Sequence, residues 1–172
     1  VNGLMTFKQR VVLPRVSDVA SSLRELLKAN ASDFAEPEFM IADFADAFYS
    51  MALHPDERKY VVCKGTDSRY YVMRVVCFGL APGPLLWGRL AAAFMRLAQG
   101  SVENHEGRAQ CYVDDPILLA VANTYRERTA IFLQYFMLWT ALGARMAWQK
   151  AHRGRQVVWI GVQMSLSGAF FR

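Results

Sequence analysis

Residues 111–120, CYVDDPILLA, set two carboxylates side by side in an otherwise apolar run and follow them at once with a proline. Two like charges about 4 Å apart repel by about 4 kcal/mol at the effective dielectric constant of a protein surface, so Asp114 and Asp115 need a turn, abundant water or a bound cation. The flanking runs, AQCYV and ILLAV, are strand-length blocks of apolar residues. One arrangement satisfies both demands: two short strands joined across Asp114, Asp115 and Pro116, with the carboxylates on the rim of a sheet. Proline lacks a backbone donor, which is tolerable at a hairpin entry but not in the middle of a ladder.

The rest of the chain supplies a sheet and its cover. Ser17 and Asp18 precede Val19, Leu23, Leu26 and Leu27, a one-face pattern that predicts a capped amphipathic helix ending near Asn30. FMIADF (39–44) reads as a buried strand, and KYVVCK (59–64) with RYYVMRVV (69–76) reads as a hairpin around GTDS. Pro84 suits the first turn of a helix over LLWGRLAAAFMRLAQ, which Gly100 ends. Asn123 or Thr124 caps a long helix to about Leu142 with Gly143 as its stop, and ARMAWQ and QVVWIGVQM follow as strands around the basic turn KAHRGR (150–155). The expected fold is α+β, an antiparallel sheet covered by helices, in one domain over 1–172.

Composition narrows the partners. The 172 residues are 53% hydrophobic, enough for a real core, and the net charge of +5 comes with fifteen arginines against five lysines. Arginine grips phosphate with a planar fork of donors, so a polyanionic partner fits. Cys63, Cys77 and Cys111 form no Cys-x-x-Cys pair, and His54, His105 and His152 lack zinc-ligand spacing. A structural zinc is not expected, and a reduced intracellular compartment, cytoplasmic or nuclear, is. The most apolar stretch (130–148) is broken by Gln134, Thr140, Gly143 and Arg145 and falls short of the roughly 20 apolar residues that span a bilayer, so no membrane partner is expected. No signal peptide opens the chain, and the sequon NAS at 30–32 matters only in a secreted protein.

A third carboxylate would turn the aspartate pair into a metal site. Asp43 ends the strand FMIADF, and strand alternation sends Ile41 and Asp43 to one face and Ala42 and Phe44 to the other. If that strand lies beside the 111–119 hairpin, three carboxylates converge. Hard oxygen ligands completed by waters and phosphates suit Mg²⁺, and two such ions can activate a hydroxyl and stabilise a leaving pyrophosphate. On their own, adjacent aspartates are more often turn formers, Phe48 a core aromatic, Lys150 part of a solvated loop, and Trp159 and Ile160 sheet packing.

At these residues the sequence resembles the palm of reverse transcriptases of the retroelement type, almost from end to end. IADFADAFYSMALHPDERKYV (41–61) is similar to that family's first metal-binding motif, and YVDD (112–115) to its Tyr-x-Asp-Asp signature. CFGLAPGPLLWGRL (77–90) is similar to the template- and nucleotide-binding segment, LPRVSDV (13–19) to the lead-in to the first palm helix, ALGARMAWQK (141–150) to a later motif ending in lysine, and WIGVQM (159–164) to the primer-grip hairpin. Pro116 stands where the family has an apolar strand residue, and Cys77 where it often has proline.

The resemblance implies a ferredoxin-like βαββαβ palm with part of the fingers and a C-terminal primer-grip hairpin. It implies Asp43, Asp114 and Asp115 as ligands of two Mg²⁺ ions, with Mn²⁺ as a substitute, and Lys150 as a proton donor to pyrophosphate. Phe44, Asp46, Ala47, Phe48, Phe78 and Gly79 would line the nucleotide site. Phe48, five residues after Asp43, would be the aromatic gate that rejects a ribose 2′-hydroxyl. Trp159, Ile160 and Gly161 would hold the primer end. The implied activity is RNA-directed DNA synthesis on an RNA or DNA template, with a primer strand and dNTP as partners. A basic fingers hairpin would precede Val1, a thumb and an RNase H region would follow Arg172, and a palm alone offers few phosphate contacts for processive synthesis. Two other readings stand beside it: a domesticated relic that only binds nucleic acid or protein, and a viral RNA-directed RNA polymerase, against which Phe48 argues.

Overall fold

The computed structural model describes residues 11–30 and 35–166. Its contacts gather into two compact units, one containing Asp46–Leu90 and the other Val12–Ala45 with the chain from Ala91. Among the described residues no helix is long and apolar enough to cross a membrane. The cysteines are free thiols.

The larger unit is built on a four-stranded antiparallel sheet in the order β4-β5-β1-β6, from β1 (Glu36–Ile41), β4 (Gly107–Tyr112), β5 (Asp115–Ala122) and β6 (His152–Gly154). Helix α2 (Gly83–Gln99) leads from β1's side of the chain to β4, and α3 (Tyr125–Ala141) links β5 to β6, so the sheet is threaded strand-helix-strand-strand-helix-strand. β5 is one of the two interior strands and has both faces covered, with Pro116 through Val121 all buried. Its odd positions Ile117, Leu119 and Val121 join Phe39 in a core completed by Val19, Leu23 and Leu26 of α1 (Val16–Ala29) and by Val157, Trp159 and Met164 of the hairpin β7 (Gln156–Trp159) and β8 (Val162–Ser165). Its even positions Leu118 and Ala120 are equally buried, and α3 packs against the strand. Strand alternation thus serves two cores at once.

Local chemistry sets the ends of the elements. Thr124 caps α3 with Glu127 in a reciprocal box, and Gly143 (φ 84°) provides the left-handed residue that stops it. Asp18 caps α1 by accepting the backbone N–H of Arg15 at 2.7 Å, so the helix starts two residues before the expected cap. The strand expected over 39–44 ends at Ile41, and only Phe44 returns to bridge Met146. That bridge and a 3-10 turn at Trp148–Lys150 replace the strand expected over ARMAWQ. The basic turn expected at 150–155 instead contributes β6, paired with β1 through Phe39↔Gly154 to Ile41↔His152. The sequon at 30–32 extends outside the described residues.

The smaller unit holds two 3-10 turns (Phe48–Ser50 and Pro55–Tyr60) and the hairpin β2 (Val62–Lys64) and β3 (Tyr70–Val72), shorter than the runs that predict it. Leu53 donates its N–H to the Arg74 carbonyl and Val76 donates to that of Met51, and Ala47, Leu53, Val76 and Trp87 are buried.

One polar cluster is built into the larger unit. Glu38 on β1 accepts from Arg128 of α3 (3.1 Å) and from Arg153 of β6 (2.6 Å). Arg128 also reaches the Ala122 carbonyl, and Arg153 reaches Thr129 and stacks 4.0 Å from the Tyr125 ring centroid. Burial pushes the Glu38 carboxyl up, but the two guanidinium groups overcome it and hold the group below its ordinary value. A carboxylate depressed in this way stabilises the fold above its unfolded pKa and loses that contribution as pH falls through the folded value. Glu38→Ala removes the carboxylate that Arg128 and Arg153 share, leaving Arg128 with Glu36 (3.3 Å), and is expected to cost about 3 kcal/mol. Urea unfolding at pH 7 measures this, and the gap between variant and parent should narrow under acid conditions.

Candidate active site

The carboxylate rim follows from the register of β1 on β5. Phe39↔Leu119, Met40↔Leu118 and Ile41↔Ile117 pair directly. Beyond the last pair, Ala42 donates to the Pro116 carbonyl (3.1 Å) and Phe44 donates to the Asp114 carbonyl (2.9 Å), so Asp43 lies between two backbone bonds to the segment that carries Asp114 and Asp115. Pro116 lies one residue beyond the last β1–β5 pair, where its carbonyl still accepts from Ala42, and it pairs with Cys111 of β4. Asp43 is held from its other side as well, because its carbonyl accepts from Ala147 at 2.9 Å.

The hairpin is tighter than the sequence suggests. Tyr112 pairs with Asp115 and Cys111 with Pro116, so Asp115 and Pro116 belong to β5 and the turn is Val113–Asp114 alone. Val113 has φ 57°, a conformation that costs a β-branched residue on the order of 1–3 kcal/mol and clusters at functional sites. The Cys111 thiol donates to the Val113 carbonyl at 3.2 Å, and the Trp159 indole N–H donates to the Asp115 carbonyl at 3.0 Å. Tyr112 meets the Trp159 ring edge-on at 6.3 Å. The next turn, Ile160–Gly161, has φ 47° and 79°, the two left-handed residues of a two-residue hairpin. Trp159 is therefore a buried brace for the aspartate turn, while Ile160 and Gly161 form the turn beside it. The sequence offers no signal for the brace beyond an apolar residue, and none for the Cys111 bond.

The rim carries charge that it does not fully neutralise. Lys150 lies 2.5 Å from Asp43 Oδ2, with the lysine side chain 60% exposed and the carboxylate 15% exposed. This partner raises the lysine pKa. Burial raises the Asp114 carboxyl, helped by Asp43 and opposed by its own backbone N–H and by Lys150. Asp115 is raised by burial, then by Asp114 and Asp43, again with Lys150 opposing. Among the described residues no three His, Cys, Asp or Glu side chains are gathered tightly enough to form a ready metal cage. Three carboxylates that sense one another, two of them raised, are a hard-oxygen donor set whose repulsion a divalent cation would relieve.

The other expected nucleotide residues divide between the two units. Phe44 is buried and packs on Trp139 (5.2 Å) and Phe94 (5.9 Å), which makes its ring a core element. Asp46, Ala47, Phe48, Phe78 and Gly79 belong to the smaller unit. There Phe48 meets Phe78 edge-on at 5.1 Å, Tyr49 meets Phe78 at 5.4 Å, and Gly79 has φ 88° with open space where a side chain would stand. Ala47 is buried, and Asp46 is exposed at φ 54°.

Similar folds occur in solved structures. A foamy viral protease-reverse transcriptase in complex with RNA/DNA hybrid matches with a TM-score of 0.62 at 16% identity over 74% of this chain. The same enzyme in complex with double-stranded DNA matches at 0.61, and prototype foamy virus protease-reverse transcriptase at 0.60, both at 16% identity over 74% of this chain. The chain spans 16%, 23% and 16% of those three chains. No protein-family profile and no curated protein sequence matches it. The fold is reverse-transcriptase-like.

A carboxyl with a raised folded-state pKa costs the fold stability at neutral pH, and the cost fades as pH falls through that value. Asp114→Asn should therefore raise the thermal midpoint at pH 7.5 in EDTA. The gain shrinks as the pH is lowered. Calorimetry across pH reads both effects.

Proposed function

We propose that the chain is the palm, with part of the fingers, of a reverse transcriptase, and that it transfers deoxynucleotides to a primer 3′-hydroxyl on an RNA or DNA template. The observation that carries this reading is the convergence of Asp43 with Asp114 and Asp115 at the end of the β1–β5 ladder in a reverse-transcriptase-like fold. The solved relatives hold RNA/DNA hybrid or double-stranded DNA, and the chain's charge of +5 suits the same class of partner.

Asp43, Asp114 and Asp115 would hold two Mg²⁺ ions, or Mn²⁺ in their place, and those ions when bound supply charge stabilisation at the attacking and leaving oxygens. The chain's own residues do the rest. Backbone bonds on both sides of Asp43 fix the place of its carboxylate beside the aspartate turn. Lys150 keeps its proton at the rim and can hand it to the departing pyrophosphate once released from Asp43. Phe48 is the gate against a 2′-hydroxyl, its ring steadied by Phe78, and Gly79 gives a nucleotide close access to backbone. Trp159, Ile160 and Gly161 serve the primer end through the hairpin they shape.

A second reading, a relic that binds nucleic acid without chemistry, draws on the Asp43–Lys150 ion pair, which occupies one carboxylate with an internal cation. The two part on metal dependence. Adding Mg²⁺ at about 100 times its Kd should stabilise the parent chain by about 2.7 kcal/mol and Asp114→Asn by much less. Single-nucleotide addition to an annealed primer should fall by about a hundredfold or more in Asp114→Asn while primer-template binding persists. Phe48→Ala should admit ribonucleotides that the parent rejects. Incorporation by Asp114→Asn at the parental rate would reject the assignment.

A further inference from the structure

The hairpin β2–β3 of the smaller unit is exposed on both faces, although an isolated two-stranded hairpin has little stability of its own. Its register pairs Val62 with Val72 and Lys64 with Tyr70, so these four side chains share one face. That face is apolar yet open to solvent: Val62 is 46% exposed, Val72 55% and Tyr70 74%. Tyr60, 62% exposed, stands just before β2 with the Lys59 ammonium 5.1 Å from its ring centroid. Charge here is one-sided. Lys59, Lys64 and Arg69 stand against a single acid between residues 59 and 72, Asp67, which takes the Tyr71 hydroxyl (2.8 Å), the backbone N–H of Arg69 (3.1 Å) and, at 3.7 Å, the exposed Arg69 guanidinium. The hairpin therefore presents exposed aromatic rings interleaved with more cations than acids.

We propose that this face of the β2–β3 hairpin, with Lys59 and Tyr60 at its entrance, is a sequence-tolerant docking surface for single-stranded nucleic acid, with bases stacked on Tyr70 and Tyr60 and phosphates met by Lys59, Lys64 and Arg69. The charge complementarity selects a polyanion, and exposed rings select one whose bases are unpaired, since a duplex hides its base faces. The uncharged edge of the hairpin could instead pair with a second copy of the chain, an outcome the test separates. The proposal uses none of the rim carboxylates, so loss of catalysis in Asp114→Asn leaves it standing.

The test is fluorescence anisotropy of a labelled 20-nucleotide oligo(dA) with the whole chain, over a series of salt concentrations. Tyr70→Ala should weaken binding about tenfold with the salt slope unchanged, and Tyr70→Phe should restore it. Lys64→Gln should lower the slope by about 0.7 and weaken binding to every sequence alike. Asp114→Asn should bind as the parent does, and blunt duplex of equal length should compete poorly. Equal affinity of the parent and Tyr70→Ala, or duplex competing as well as single strand, would overturn the proposal. So would a Tyr70→Ala chain that changes only its sedimentation, which would assign the face to self-association.

Discussion

The pairing of β1 with β5 is the constraint on which the rest depends. Six residue pairs fix which side chains of each strand face which core, and a slip of one residue would move Phe39 and the odd positions of β5 out of one core and into the other. The same register carries past the ladder to the bonds from Ala42 to Pro116 and from Phe44 to Asp114, and so decides that Asp43 comes to the aspartate turn. Packing of α1 and the β7–β8 hairpin on one face, and of α3 on the other, leaves that register no alternative. The rim is thus a by-product of a well-packed interior, with its precision set by Phe39, Leu118 and Leu119 and not by the carboxylates.

Against that rigid frame the rim itself is strained and repulsive. Val113 is held in a left-handed conformation, two carboxyls are raised by burial and by neighbouring carboxylates, and Lys150 opposes both shifts. Trp159 supports the turn from below through one hydrogen bond and one ring contact. Strain and charge concentrated at a point whose surroundings are well satisfied mark a place shaped for something other than stability. The buried Glu38–Arg128–Arg153 cluster shows the opposite pattern, with opposite charges meeting at hydrogen-bonding distance to bind β1, α3 and β6 together.

Much of this is legible in the amino-acid sequence. Strand-length apolar runs on either side of Asp114 and Asp115 predicted the hairpin, and the end of FMIADF predicted that Asp43 could join it. What the sequence hid were features set by tertiary partners. ARMAWQ has strand composition but meets only Phe44, so it forms a bridge and a turn, while the basic stretch at 152–154 becomes a strand because the edge of β1 needs a partner. Phe44, aligned by motif with the nucleotide site, turns its ring into the core because Phe94 and Trp139 receive it. Glu38 gave a faint signal in alternating with Glu36 along EPEFMI, but its arginine partners lie 90 and 115 residues away.

Asp43, Asp114 and Asp115 are proposed to share divalent cations at one end of the β1–β5 ladder. Crystals soaked in Mn²⁺ and measured at the manganese absorption edge test it most directly. An anomalous peak within coordination distance of Asp43 and at least one of the adjacent aspartates, with Lys150 withdrawn, is the expected result. An ordered crystal saturated with Mn²⁺ that shows no peak there, or one confined to other acidic residues, would contradict it.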